Sequence, residues 1–125
     1  MSSTQIVTIE SQTDVIRAVV NQAQLNDTAI DKLFVDVSSA AAQHPGLPVV
    51  LDLTAVNYVP SMGLGTLVML MRQLKNSNQR FVLVGLQSEV RTVLAITRLD
   101  KLFEIQPNFD TAVRHLRGAT AAERK

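Results

Sequence analysis

VVLDLTAVNYVPSMGLGTLVMLMRQL, residues Val49 to Leu74, is the stretch on which the reading of the fold turns. It opens on VVLDL, a short run interrupted only by Asp52. Apolar runs of this length read as strands buried on both faces. A connector follows. Pro60 then restricts Val59 to extended backbone and marks an element boundary. From Met62 to Lys75 the apolar spacing is helical. Ser61 stands at the junction, between a proline and Met62-Gly63, and it is the residue whose role has to be decided.

Downstream, QRFVLVGL predicts a second buried strand and SEVRTVLAIT a helix. Leu102 to Ile105 reads as a short edge strand. Pro107 resets the chain, and Phe109, Ala112, Val113 and Leu116 predict a last helix. Upstream, Ile6 to Glu10 alternates as a strand, Ser11 to Thr13 reads as a turn, and Asp14 to Val20 reads as its antiparallel neighbour. The segment NDTAIDKLFVDVSSAAAQ changes period: Ile30, Leu33, Phe34, Val37 and Ala41 share one helical face, Thr28 with Asp31 predicts a capping box, and Pro45-Gly46 stops the helix near His44. The order ββαβαβα(β)α predicts an α/β protein, a mixed sheet of four to five strands with helices packed on it.

The chain of 125 residues is read as one domain over residues 1–117, with 118–125 as a small, charged, disordered tail. A formal net charge of +1 calls for neither nucleic acid nor an anionic membrane as partner. The absence of cysteine removes disulfides, thiolate metal sites and thiol nucleophiles, and fits a cytoplasmic location. Met1 to Gln5 carries neither the basic patch nor the apolar run of a signal peptide. No apolar stretch approaches the ~20 residues needed to span a bilayer. Arg72, Lys75, Arg80, Arg91, Arg98 and Lys101 are spread over several elements and read as solvated surface.

Three chemistries compete for the Asp52–Leu74 segment. A hydrolase nucleophile would need the elbow G-x-S-x-G and a base. Here the five residues are Val59-Pro60-Ser61-Met62-Gly63, without the first glycine, and the two histidines, His44 and His115, stand beside a helix stop and on the last helix. A phospho-aspartate receiver centred on Asp52, with Lys101 downstream, would need several carboxylates around Mg²⁺. Only Glu10 and Asp14 are offered, in a predicted hairpin, so no metal or catalytic residue is assigned. The third reading is a regulatory phosphoserine. Ser61 is placed as an N-cap, and Gly63 and Gly65 would leave the first turn bare for a partner or a phosphate. Against it stands the plain alternative, a favoured cap residue followed by glycines that serve close packing. Thr54 and Thr66 are secondary phosphoacceptor candidates.

The segment VVLDLTAVNYVPSMGLGTL resembles the signature of the STAS domain, the fold of bacterial anti-sigma factor antagonists: an apolar strand, D-L/F-S, a short link, then D-S-S/T-G-L-G. RFVLVGLQSEVRTVLAITRLDKLFEI continues the likeness with a strand, an S/R-P-E-V-like turn, a helix and L-x-x-L-F-x-I. The resemblance spans roughly Val49 to Leu116 and, more loosely, the N-terminal hairpin and helix. It implies a STAS fold and a binding protein in place of an enzyme, with no cofactor. It implies as partners an anti-sigma factor acting as a serine kinase and a PP2C-type phosphatase, and regulation of transcription through them. Ser61 matches the phosphoacceptor, Gly63 the glycine before the LG, and Leu64-Gly65 the LG itself. Partner contacts are expected from Asn57, Tyr58, Pro60, Ser61, Met62, Gly63, Leu64, Gly65, Thr66 and Met69, in a monomer or weak dimer. Two positions depart from the pattern: Pro60 replaces the usual Asp, and Met62 replaces a second Ser or Thr. A STAS scaffold or regulatory subunit that is never phosphorylated stays open beside the switch.

Overall fold

The computed structural model describes the backbone of residues 5–123 and the side chains of residues 5–118. The expected architecture is present, with five strands. In chain order the elements are β1 (Val7–Ser11), β2 (Ile16–Val20), α1 (Asp27–Gln43), β3 (Val49–Asp52), α2 (Ser61–Asn76), β4 (Phe81–Val84), α3 (Ser88–Ile96), a 3-10 turn (Leu99–Lys101), β5 (Glu104–Gln106) and α4 (Phe109–Glu123). The sheet order is β1-β2-β3-β4-β5; the first pair is antiparallel and the remaining three are parallel.

The unbroken apolar character of VVLDL and FVLV follows from helices on both sides of the sheet. Successive strand side chains point to opposite faces. Val49, Leu51, Phe81 and Leu83 enter the main core with α1, α2 and α3. Val50, Val82 and Val84 enter a second, smaller core under Ala112, Val113 and Leu116 of α4. Alternation would have exposed one of these faces, and here neither is free. The cover of α4 ends over β2. There the face carries Arg17, whose guanidinium lies 4.3 Å from the centre of the Phe109 ring.

Several boundaries differ from expectation. The hairpin turn is longer, because the Gln12 N–H donates to the Val15 carbonyl and holds Asp14 and Val15 outside the strand. The cap of α1 is Asn26, whose side-chain oxygen accepts from the Ala29 N–H at 3.0 Å; the Thr28–Asp31 capping box does not form, because the helix already starts at Asp27. The edge strand begins at Glu104, not Leu102, because the Leu102 and Phe103 amides donate to Leu99 in the 3-10 turn. The backbone of α4 continues to Glu123, into the segment read as a tail, while 124 and 125 lie outside the described residues, as do the first four of the N-terminal stretch. Arg80 is not merely solvated: its Nε donates to Glu104 at 2.9 Å, joining β4 to β5.

Candidate functional site

The connector between β3 and α2 is organised by burial of every third residue. Leu53, Val56 and Val59 are buried, which turns Asn57 and Tyr58 outward. Asp52, at the end of β3, accepts from the Thr54 N–H at 2.9 Å and from the Thr54 hydroxyl at 2.6 Å, so it closes the start of the connector. The Gln87 side chain donates to the Thr54 carbonyl at 2.8 Å from the far side. Gly85 faces the same threonine with φ +72°, and a Cβ there would lie 2.2 Å from the Thr54 hydroxyl oxygen. Only glycine fits that approach.

The second half of the connector is tied to the loop before α1. Asn57 N–H donates to the Ala23 carbonyl at 2.7 Å, Leu25 N–H donates to the Tyr58 carbonyl at 3.0 Å, and Gln24 pairs with Tyr58 in a parallel bridge. Ala23 and Gln24, both exposed, therefore extend the surface that Tyr58 presents. No local sequence signal marks them; the link is made only when the two loops meet.

Ser61 is not the helix cap. Pro60 takes that position with extended backbone (φ −65°, ψ 163°), and its carbonyl accepts from the Leu64 N–H at 3.0 Å. Ser61 becomes the first helical residue. Its side chain is exposed and makes no hydrogen bond to another described residue. The other two candidate hydroxyls are engaged: Thr54 donates to Asp52, and Thr66 donates to the Met62 carbonyl at 3.1 Å. Since proline supplies no capping side chain and the first turn holds no acidic residue, the leading amides of α2 meet neither.

The residues expected to meet a partner separate into two groups. Met62 and Met69 are 71% and 61% exposed, Tyr58 is 54% exposed, and Asn57 and Gly65 are also open. Met62, Gly65 and Met69 follow one another at helical spacing along the outer face of α2. Pro60 and Thr66 are half-buried beside them. Gly63 and Leu64, by contrast, face inward. Leu64 is 8% exposed, and a Cβ on Gly63 would lie 3.1 Å from Val59 and 3.4 Å from the Leu25 carbonyl. The bare first turn expected from the glycines is therefore borne by Gly65 alone, and Gly63 is required for close packing. Residues 53–71 contain no acidic or basic side chain. The surface is largely apolar and carries no acidic or basic side chain.

The carboxylates do not assemble a receiver site. Asp14 accepts from Arg117 at 2.7 Å on the hairpin turn, while Asp52 is held by Thr54 with Arg17 at 3.6 Å. Among the described residues no group of three or more His, Cys, Asp or Glu is placed to hold a metal ion. Also among them, no helix is long and apolar enough to cross a membrane.

The model of the STAS domain family matches residues 7–112, and the chain belongs to that family. An anti-sigma factor antagonist from Mycobacterium paratuberculosis is 25% identical over 89% of this chain and 92% of its own, with a TM-score of 0.76. A variant of RsbS from Moorella thermoacetica is 18% identical over 94% of this chain and 99% of its own, with a TM-score of 0.80. The Bacillus cell fate determinant SpoIIAA in its phosphorylated form is 16% identical over 88% of this chain and 98% of its own, with a TM-score of 0.67. The likeness to the last two is one of fold.

Proposed function

We propose that this chain is an anti-sigma factor antagonist that binds an anti-sigma factor with serine kinase activity, and that phosphorylation of Ser61 breaks the complex. A PP2C-type phosphatase would restore it. In this reading the chain is a substrate and binding module, not an enzyme, and it regulates transcription indirectly from the cytoplasm. The observation that carries the proposal is the state of Ser61: it is exposed, makes no hydrogen bond to another described residue through its side chain, and is set at the head of helix α2, which has no side-chain cap. The phosphorylated form of SpoIIAA supports the analogy.

The physical switch follows from the neutrality of residues 53–71. Tyr58, Met62, Gly65 and Met69 desolvate cheaply against a partner, with Asn57, Pro60 and Thr66 at the margin and Gly63 and Leu64 holding the helix in place beneath. A phosphoryl group brings about −1.5 to −2 charge into that surface. The domain itself accommodates it, because negative charge is favoured at a helix N-terminus. A complex that buries the dianion without paired cations does not. Pro60 removes the acidic residue usual before the acceptor, so kinase recognition would rest on the shape of the connector and the methionine stripe.

The test is incubation with ATP and the histidine-kinase-like serine kinase of the same genome, with the site mapped by mass spectrometry and partner binding measured for wild type and Ser61→Asp. Phosphate on Ser61 and lost binding in the variant are expected. An unmodified Ser61, together with a Ser61→Asp variant that binds as wild type does, would sink the switch and leave the unphosphorylated scaffold. An acyl phosphate on Asp52 would overturn the reading altogether.

A further inference from the structure

Helix α2 holds three of the chain's four methionines, and the chain has no cysteine. Packing divides the three. Met71 is half-buried and rests against the main core, whereas Met62 and Met69 are largely exposed. These two stand seven residues apart, close to two full turns, so both lie on the same side of α2. Gly65, exposed between them, has no side chain to shield either one, and a Cβ there would meet nothing within 4 Å. Met62 follows Ser61 directly in sequence. The open sulfur of this helix is therefore concentrated at the Ser61 surface, and the packed sulfur of Met71 provides an internal reference.

An exposed thioether meets a dissolved peroxide where a packed one does not. The sulfur lone pair attacks one oxygen of hydrogen peroxide. An S–O bond forms as the O–O bond breaks, and sulfur is oxidised by two electrons. The leaving hydroxide takes the proton of the new S–OH group and departs as water. No thiol of this chain competes for the oxidant. The product, a sulfoxide, carries no charge but is a polar hydrogen-bond acceptor on a side chain that was apolar. A partner shaped to methionine would then bury an S=O group without a donor, which opposes association.

We infer that Met62 and Met69 are a reversible oxidation site. Peroxide converts them to sulfoxides ahead of Met71, and the change releases the partner of the Ser61 surface without phosphorylation. A methionine sulfoxide reductase reverses it, using two thiols that end as a disulfide and returning the oxygen as water. The release rests on the proposed role of the Ser61 surface; the order of oxidation does not. The domain keeps its fold through the cycle, because both side chains project from the packed face of α2.

The test exposes the full chain alone to graded hydrogen peroxide, quenches with free methionine, and maps the sulfoxides by peptide mass spectrometry. Met62 and Met69 are expected to oxidise well before Met71, with an unchanged thermal midpoint. Affinity for the serine kinase named above, itself never treated, should fall at least about tenfold on oxidation, the scale of one buried polar group left unpaired. Sulfoxide reductases should restore it. Met62→Gln combined with Met69→Gln should weaken binding without peroxide, and Met62→Leu combined with Met69→Leu should show one affinity before and after treatment. Oxidation of Met71 as fast as of the other two, or full affinity in the oxidised chain, would overturn the inference. So would a loss of affinity on treatment that persists in the leucine pair. An untreated chain that fails to bind the kinase would instead remove the proposed role of the surface, and the inferred release with it.

Discussion

Ser61 shows how one neighbour redirects a residue. Serine before a helical run is a favoured cap, but Pro60 already has the extended backbone that a cap position needs, and its carbonyl receives the first helical hydrogen bond. The hydroxyl is thereby released from any structural duty. Ser61→Ala should change stability by less than about 0.5 kcal/mol, as surface substitutions without partners do. Ser61→Asp should raise it by roughly 0.3–1 kcal/mol, because a carboxylate then meets the positive end of α2. Thermal denaturation of the two variants checks both signs. A destabilised Ser61→Asp would mean that the α2 terminus does not favour negative charge. Gly85 and Gly63 are residue-scale constraints of another kind: each leaves room for a neighbour, Thr54 in one case and Val59 with the Leu25 carbonyl in the other.

Among the elements, α1 depends on a residue far from it in sequence. Gln79, buried between α2 and β4, points its side-chain amide at the carbonyls of Ala41, His44 and Leu47, at 3.2, 3.2 and 2.9 Å. These are the carbonyls at the end of α1 and in its exit turn, where regular intrahelical bonding ends. Gln79→Ala should cost about 1–3 kcal/mol, because it takes the side-chain donor from the Leu47 carbonyl and leaves the Ala41 and His44 carbonyls only the amides of His44 and Leu47. Urea unfolding would read this as a lower midpoint with an unchanged slope. A cost under about 0.5 kcal/mol, the range of ordinary surface changes, would mean that water replaces the amide freely. The connector before α2 is similarly shared, since its outer half is bonded to the loop before α1. The Ser61 surface is thus made by two loops, and variants at Ala23 or Gln24 belong in any scan of it.

Across the whole molecule, α4 closes the second face of the sheet and is tied back to the N-terminal hairpin by Arg117 and Asp14. The hydrogen bond from Arg117 holds the Asp14 carboxyl below its ordinary value, against a smaller opposing effect of desolvation. A carboxylate with a lowered folded pKa stabilises the fold above its unfolded pKa, and that contribution is lost as pH falls through the lowered value. The difference in thermal midpoint between wild type and Asp14→Asn should therefore be small and positive near neutrality and should vanish in acid. A difference that persists unchanged in acid would assign it to packing. High salt should shrink it, because the pair is exposed.

Periodicity alone determined most of the architecture: apolar runs too short for helices and too continuous for half-exposed strands, separated by helical faces, leave an α/β sheet covered on both sides. The placement of Ser61 at the α2 boundary was legible because Pro60 marks its own position. Tertiary structure decided the rest. Met62 and Met69 were indistinguishable from core residues in a helix so largely apolar; the packing of Leu64, Leu67, Leu70 and Leu74 against the sheet left them outside. Gly63 and Gly65 are chemically the same residue in one helix, and only the position of Val59 and the Leu25 carbonyl separates their roles. VPSMGLG therefore told where the proposed site lies. Which of its side chains a partner can reach depends on long-range packing, which no local pattern records.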